Sequence, residues 1–259
     1  MPEVLMPTSY NTALVVLSYV IAVVGSYIAL SATQNAAELQ GQAFRSRMLL
    51  AGMALGGIGV WAMHFVGMLA LQMPLGMSYS MIETAISLIA AVLATAWALA
   101  VVARNPNSKP RLLLAGTVLG LGVCLMHYLG MYGMRFGGFF RWDALLVLLS
   151  VLIALAAATA ALWLAFNTNS QLSRIGAALV MGLAVCAMHY TGMLAADIIC
   201  TTTEPQAIPR GPGWISVLDL PMLVIALIVG MTMAMAIQVV YTLQPQKRRR
   251  THERSKPAL

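Results

Sequence analysis

At 259 residues, with 60% apolar and only 9% charged side chains, the chain is far more apolar than a water-soluble domain, which runs at roughly 45–50% apolar and about 25% charged. Its net charge of +7 is gathered in alternate short loops and the C-terminal end, which excludes a separate basic nucleic-acid-binding domain and is the pattern that orients membrane spans. In chain order the apolar runs cover 10–31, 47–71, 82–103, 112–134, 143–166, 174–196 and 218–242. Each is long enough to cross a hydrocarbon core of about 30 Å. The first run follows MPEVLMPTSYNTALVV, which has no basic n-region or small-residue cleavage site, so it reads as a retained helix and not a cleaved signal peptide. Cys124 and Cys186 fall within spans and Cys200 in a loop, so no disulfide framework is expected.

The expected fold is an all-α membrane protein, a seven-helix bundle over 1–243 with a short basic tail over 244–259. One side of the membrane receives Arg45, Arg47, Arg104, Lys109, Arg111, Arg174 and the tail residues Lys247, Arg248, Arg249, Arg250, Arg254 and Lys256. The other receives only Arg135, Arg141 and Arg210. By the positive-inside rule the first side is cytoplasmic, which puts the N-terminus outside and the C-terminus inside. The tail itself reads as a topology anchor attracted to anionic lipid.

The chain also repeats. LLAGMALGGIGVWAMHFVGM (49–68), LLLAGTVLGLGVCLMHYLGM (112–131) and IGAALVMGLAVCAMHYTGM (175–193) share Met-His-aromatic-x-Gly-Met, with 63 residues from His64 to His127 and 62 from His127 to His189. Each unit is one span ending in the motif, a loop and a return span, so three two-helix repeats plus an N-terminal helix make the bundle. His64 lies 17 residues beyond Arg47, about 26 Å along a helix, near the outer boundary. The same arithmetic from Arg111 and Arg174 puts His127 and His189 at one level with it.

An ionisable side chain at membrane depth marks a functional site by default. His64 and Met68, four residues apart, share a helix face, as do His127 with Met131 and His189 with Met193. Met63, Met126 and Met188 lie about 100° around the helix, the turn per residue of a 3.6-residue helix. Gly67, Gly130 and Gly192 allow close helix approach. Imidazole with thioether suits copper in either oxidation state. The plainer reading is an interfacial histidine with methionine as gap-filler; three copies at equal depth weigh against it. Glu83, Asp143 and Asp219 begin the return spans, either as carboxylates steadying a histidine or, the favoured reading, as helix caps. Asp197 is a weaker ligand candidate. The loop 197–217 reads as a lid or, more simply, as a connector. No phosphate-binding loop or nucleophile elbow is present, so no enzyme is expected.

The motifs MHF at 63–65, MHYL at 126–129 and MHYT at 188–191 make the whole chain resemble the MHYT family of bacterial integral membrane sensors. The resemblance implies a sensor in the bacterial inner membrane that binds copper and through it oxygen, carbon monoxide or nitric oxide. It carries over to Met63, His64, Met126, His127, Met188 and His189, with Tyr128 and Tyr190 at the aromatic position. Phe65 departs there, which excludes any role needing three phenols. Many family members continue into cytoplasmic domains that make or degrade cyclic di-GMP. This chain ends about 15 residues past its last span, so the expected output runs through a separate cytoplasmic partner unless the chain is a fragment. Two alternatives stand beside the sensor: a membrane copper transporter or chaperone, and a haem protein using two of the histidines as axial ligands.

Overall fold

The structure, a computed structural model, describes residues 3–168 and 170–254, with side chains as far as residue 239. Among the described residues, seven helices are long and apolar enough to cross a membrane. They are α1 (Thr12–Ala32), α2 (Gly41–Ala70), α3 (Met81–Ala103), α4 (Lys109–Tyr132), α5 (Ala144–Asn167), α6 (Gln171–Leu194) and α7 (Leu220–Arg254). The chain is a multi-pass membrane protein, a helical bundle in which each span bonds its own backbone, as lipid requires. The basic residues expected over 244–259 lie outside the described side chains.

The starts of the helices follow from the local sequence. Asn11 caps α1 by accepting from the Ala13 and Leu14 amides at 3.0 and 3.3 Å. Pro110 sits in the first turn of α4, where its missing N–H costs nothing. Asp143 caps α5 by accepting from Leu145 and Leu146 at 2.8 and 3.1 Å.

The helices close into a ring. Each of α1 to α6 packs on the next, and α6 packs back on α1. Helix α7 stands outside this ring against α2, with the Met231 sulphur at Gly57. Thus α7 does not follow α6 as α3 follows α2 and α5 follows α4; α1 takes that place. Three buried serines mark the equivalence. Ser18 on α1, Ser87 on α3 and Ser150 on α5 each donate to the carbonyl three residues earlier, at 2.7, 2.8 and 2.8 Å. Each also meets the preceding even-numbered helix around the ring, through Tyr190, Trp61 and Tyr128 respectively.

Helix α2 is the most enclosed span. Met53–Ala62 within it is wound as a π-helix, an unusually long stretch of a form that commonly appears as a single turn beside functional sites. It is gripped from two sides. A Cβ on Gly25 of α1 would meet the Gly59 nitrogen at 2.3 Å, and one on Gly56 would meet the Ala91 carbonyl oxygen of α3 at 2.4 Å. Only glycine permits backbones to pass so closely.

Short strands, not read in the sequence, cap the end of the bundle where α2, α4 and α6 finish. These are β1 (Val4–Leu5), β2 (Ser9–Tyr10), β3 (Leu71–Gln72), β4 (Ser78–Ser80), β5 (Met134–Arg135), β6 (Gly138–Trp142), β7 (Ala196–Cys200) and β8 (Trp214–Ser216). They pair antiparallel in the orders β1-β7-β6, β2-β3 and β5-β4-β8. The loop 197–217 therefore supplies two strands of this cap and is more than a connector. The pairing satisfies backbone groups of the loops over the buried helix ends. The cap is itself buried in places: Tyr79, Ile198, Ile199 and Cys200 are all inside.

Candidate metal centre

The motif histidines sit on the last turns of α2, α4 and α6, three parallel helices brought face to face by the ring. Their Nδ1 atoms form a triangle. His64 to His189 is 3.1 Å, His127 to His64 is 3.2 Å and His189 to His127 is 3.3 Å. The rings stand almost perpendicular to one another, at 79°, 89° and 85°, like the blades of a propeller. All three are at most 1% exposed.

The motif glycines explain why the rings fit. A Cβ on Gly130 would lie 2.4 Å from Nε2 of His64, one on Gly192 2.3 Å from Nε2 of His127, and one on Gly67 2.3 Å from Nε2 of His189. Each unit's glycine thus receives the imidazole of another unit, in a closed cycle. The glycines do more than bring the helices together: each makes the socket for a ring.

The proton inventory at this cluster does not close by itself. Three neutral imidazoles carry three N–H groups on six nitrogens. The Nδ1 atoms meet only one another, and the Nε2 atoms are buried without a hydrogen-bond partner. Hydrogens on Nδ1 point at neighbouring rings; hydrogens on Nε2 find no acceptor and leave three lone pairs converging on one point. Buried polar atoms are ordinarily satisfied, and each orphan costs about 1–3 kcal/mol. A cation between the lone pairs removes the repulsion. The centre of a triangle with edges of 3.1–3.3 Å is about 1.85 Å from each corner, close to the roughly 2.0 Å of a metal–imidazole bond. The residues present fit a metal ion. Among the described residues this is the one group of three or more His, Cys, Asp or Glu side chains able to hold one.

The six motif methionines are all buried. Met63 packs with Ala22 and Cys186, beside Tyr190. Met188 packs with Cys124 and Ala154, beside Tyr128. Met68, Met126, Met131 and Met193 lie in the main core, each at most 4% exposed. All three cysteines are free and buried.

The aromatic position holds the odd-numbered helices. Tyr128 shares a hydrogen bond with Ser150 at 2.6 Å and Tyr190 with Ser18 at 2.9 Å, and each ring lies edge-on to its own histidine. In the first unit, where Phe65 has no hydroxyl, Trp61 takes over by donating to Ser87 at 3.1 Å and to the Thr84 carbonyl at 3.2 Å. Ser18, Ser87 and Ser150 escaped notice in the sequence because isolated serines in apolar runs carry no motif; aligning α1 with α3 and α5 was the available signal.

None of the return-span acids reaches a histidine. Glu83 pairs with Arg135 at 2.6 Å and accepts from Ser80. Asp143 caps α5, and Asp219 stands at the start of α7 with its carbonyl accepting from Met222. Asp197 pairs with Arg141 at 2.9 Å. In the cap, burial pushes the Tyr79 phenol well above its usual range. It pushes Tyr10 up to about 12, helped by Tyr190, which its ring meets edge-on at 5.7 Å.

The family model MHYT, described as a bacterial signalling protein N-terminal repeat, matches residues 1–51, 57–115, 120–178 and 182–252. The chain is 39% identical over 234 residues to the bifunctional diguanylate cyclase/cyclic di-GMP phosphodiesterase MucR of Pseudomonas aeruginosa, covering 86% of this chain and 34% of that protein. It is 34% identical to the cyclic di-GMP phosphodiesterase NbdA of the same organism, over 74% of this chain and 25% of that one. It is 33% identical to the signalling protein YkoW of Bacillus subtilis, over 73% and 24%. The chain thus spans a quarter to a third of the length of these relatives. No solved structure matches it.

Proposed function

Because the chain belongs to the MHYT family of bacterial signalling proteins, a membrane signalling module and not a catalytic one, we propose that it is a sensor whose three buried histidines hold a copper ion. The observation that carries this reading is the triangle of Nδ1 atoms at 3.1–3.3 Å. Imidazole donors alone suit zinc as well as copper; the methionines repeated in the motif and the family resemblance favour copper. A copper ion there would supply a one-electron redox change and an affinity for oxygen, carbon monoxide or nitric oxide.

The chain's own residues supply the rest. The glycine sockets fix the rings, and the strand cap and Tyr79 separate the cluster from bulk water. A change in the separation of the three Nδ1 atoms moves the ends of α2, α4 and α6 together. The serine contacts pass that movement to α1, α3 and α5. The charge asymmetry supports an orientation with the histidines near the outer face of the inner membrane: Arg45, Arg47, Arg104, Lys109, Arg111 and Arg174 lie at the opposite, cytoplasmic end. The names of MucR and NbdA support a cytoplasmic output connected with cyclic di-GMP.

Transport fits less well, because it needs sites at several depths or a midplane site and the described residues hold one layer. Haem fits less well because imidazoles in mutual contact leave no slot for a porphyrin. The test is metal content of protein purified in mild detergent and loaded with Cu(I), beside His64→Ala, His127→Ala and His189→Ala. Near-stoichiometric copper, lost in each variant, is the expected result. Absence of metal from every sample would overturn the reading.

A further inference from the structure

At the end of the bundle away from the histidines, the ends of α2, α3 and α4 enclose a cleft of about 660 Å³. Its lining includes three arginines: Arg45 on the second turn of α2, Arg104 at the C-terminus of α3 and Arg111 on the first turn of α4. Among the described residues no carboxylate lines it. The ion pairs among the described residues are Arg135–Glu83 and Arg141–Asp197, both elsewhere. Three like charges around one cavity repel and are stable together only with water or an anion between them.

Two further features aim the cleft at an anion. Gln40 and Gly41 line it, and they begin α2 with no side-chain cap hydrogen bond. The amides of that first turn are thus open, and the positive end of the helix dipole faces the cavity. Arg104 is also steadied: its guanidinium lies 5.2 Å from the ring centroid of the buried Phe44, which holds the fork in place at low entropic cost. Guanidinium forks with open amides make a site for phosphate oxygens.

The position decides which phosphate. The three arginines stand where membrane spans end, at the depth of lipid headgroups, and apolar residues of the spans share the lining. We propose that this cleft binds the phosphate of an anionic phospholipid headgroup, tying the inner ends of α2, α3 and α4 to the lipid composition of that leaflet. Basic pockets between spans bind such headgroups elsewhere.

The test counts lipid by native mass spectrometry on the full chain in mild detergent, after exchange with phosphatidylglycerol or phosphatidylcholine at equal mole fraction. Wild-type protein should retain the anionic lipid about a hundredfold over the zwitterionic one, from roughly fivefold for each of the three arginines. The triple variant Arg45→Gln, Arg104→Gln, Arg111→Gln should lose that preference, while Arg174→Gln, at the same end but outside the cleft, keeps it. Single Arg111→Gln, with a partial loss, covers a failure of the triple variant to fold. Equal retention in variants and wild type, or no preference in wild type, overturns the proposal. Soluble glycerol 1-phosphate is the remaining arm: if it raises the melting temperature as much as phosphatidylglycerol does, the site takes a free phosphate and the lipid assignment falls.

Discussion

Gly130→Ala tests the histidine socket with one methyl group. The new Cβ would lie 2.4 Å from Nε2 of His64, whereas ordinary contact begins near 3.4 Å. The pair must therefore separate by about 1 Å. Neither side yields cheaply, because His64 is fully buried and its other nitrogen already touches two rings at 3.1 and 3.2 Å. Overpacking of this kind costs about 1–3 kcal/mol, and a ligand site tolerates only about 0.5 Å of displacement before function suffers. The expected result is a folded protein with a lower melting temperature and copper affinity reduced by at least about tenfold, within the range seen when support for a metal ligand is lost. Gly176→Ala is the control: no atom lies within 4 Å of its added Cβ, so it should bind copper normally and be no less stable, since alanine is the better helix former. The assay is metal content and thermal melting of both variants after Cu(I) loading. Unchanged copper binding and melting in Gly130→Ala would refute the socket.

Other outcomes follow from the same contacts. Tyr128→Phe leaves Ser150 with only its bond to Val147 and should cost about 1 kcal/mol; combining it with Ser150→Ala should cost less than the two singles added, read by a double-mutant cycle in detergent melts. Glu83→Gln breaks the partly buried pair with Arg135 and should lower stability by no more than about 1 kcal/mol, leaving copper content unchanged; copper loss would assign Glu83 a role at the histidines. Tyr10, raised from 10.0 to about 12 by burial and Tyr190, keeps its proton longer folded than unfolded. Its contribution to stability is therefore complete below pH 10 and lost as pH rises through about 12; Tyr10→Phe should flatten that part of the stability–pH curve.

Much of this architecture is legible in the amino-acid order because lipid leaves little choice. Long apolar runs must be helices, so the seven spans follow from composition, with boundaries close to those found. A spacing of 15 to 17 residues from a basic residue to each histidine sets them at nearly one depth, and the mutual contact of His64, His127 and His189 agrees with it. Asp143 caps its helix for reasons contained in a few neighbouring residues.

What only the tertiary structure decided is rotation and neighbourhood. Depth along a helix is a count of residues, but the direction a histidine faces depends on the phase of its helix against two others, and the π-wound stretch of α2 changes that phase just before His64. Ring closure is likewise non-local: α1 fits beside α6 because Ser18 meets Tyr190, 172 residues away, and α7 goes outside to α2. The cap strands are too short to announce themselves and form because distant loops meet over one bundle end. The sequence could determine that three histidines share a level; the fold alone decided that their Nδ1 atoms share a point, because lone-pair direction is set by packing and not by spacing.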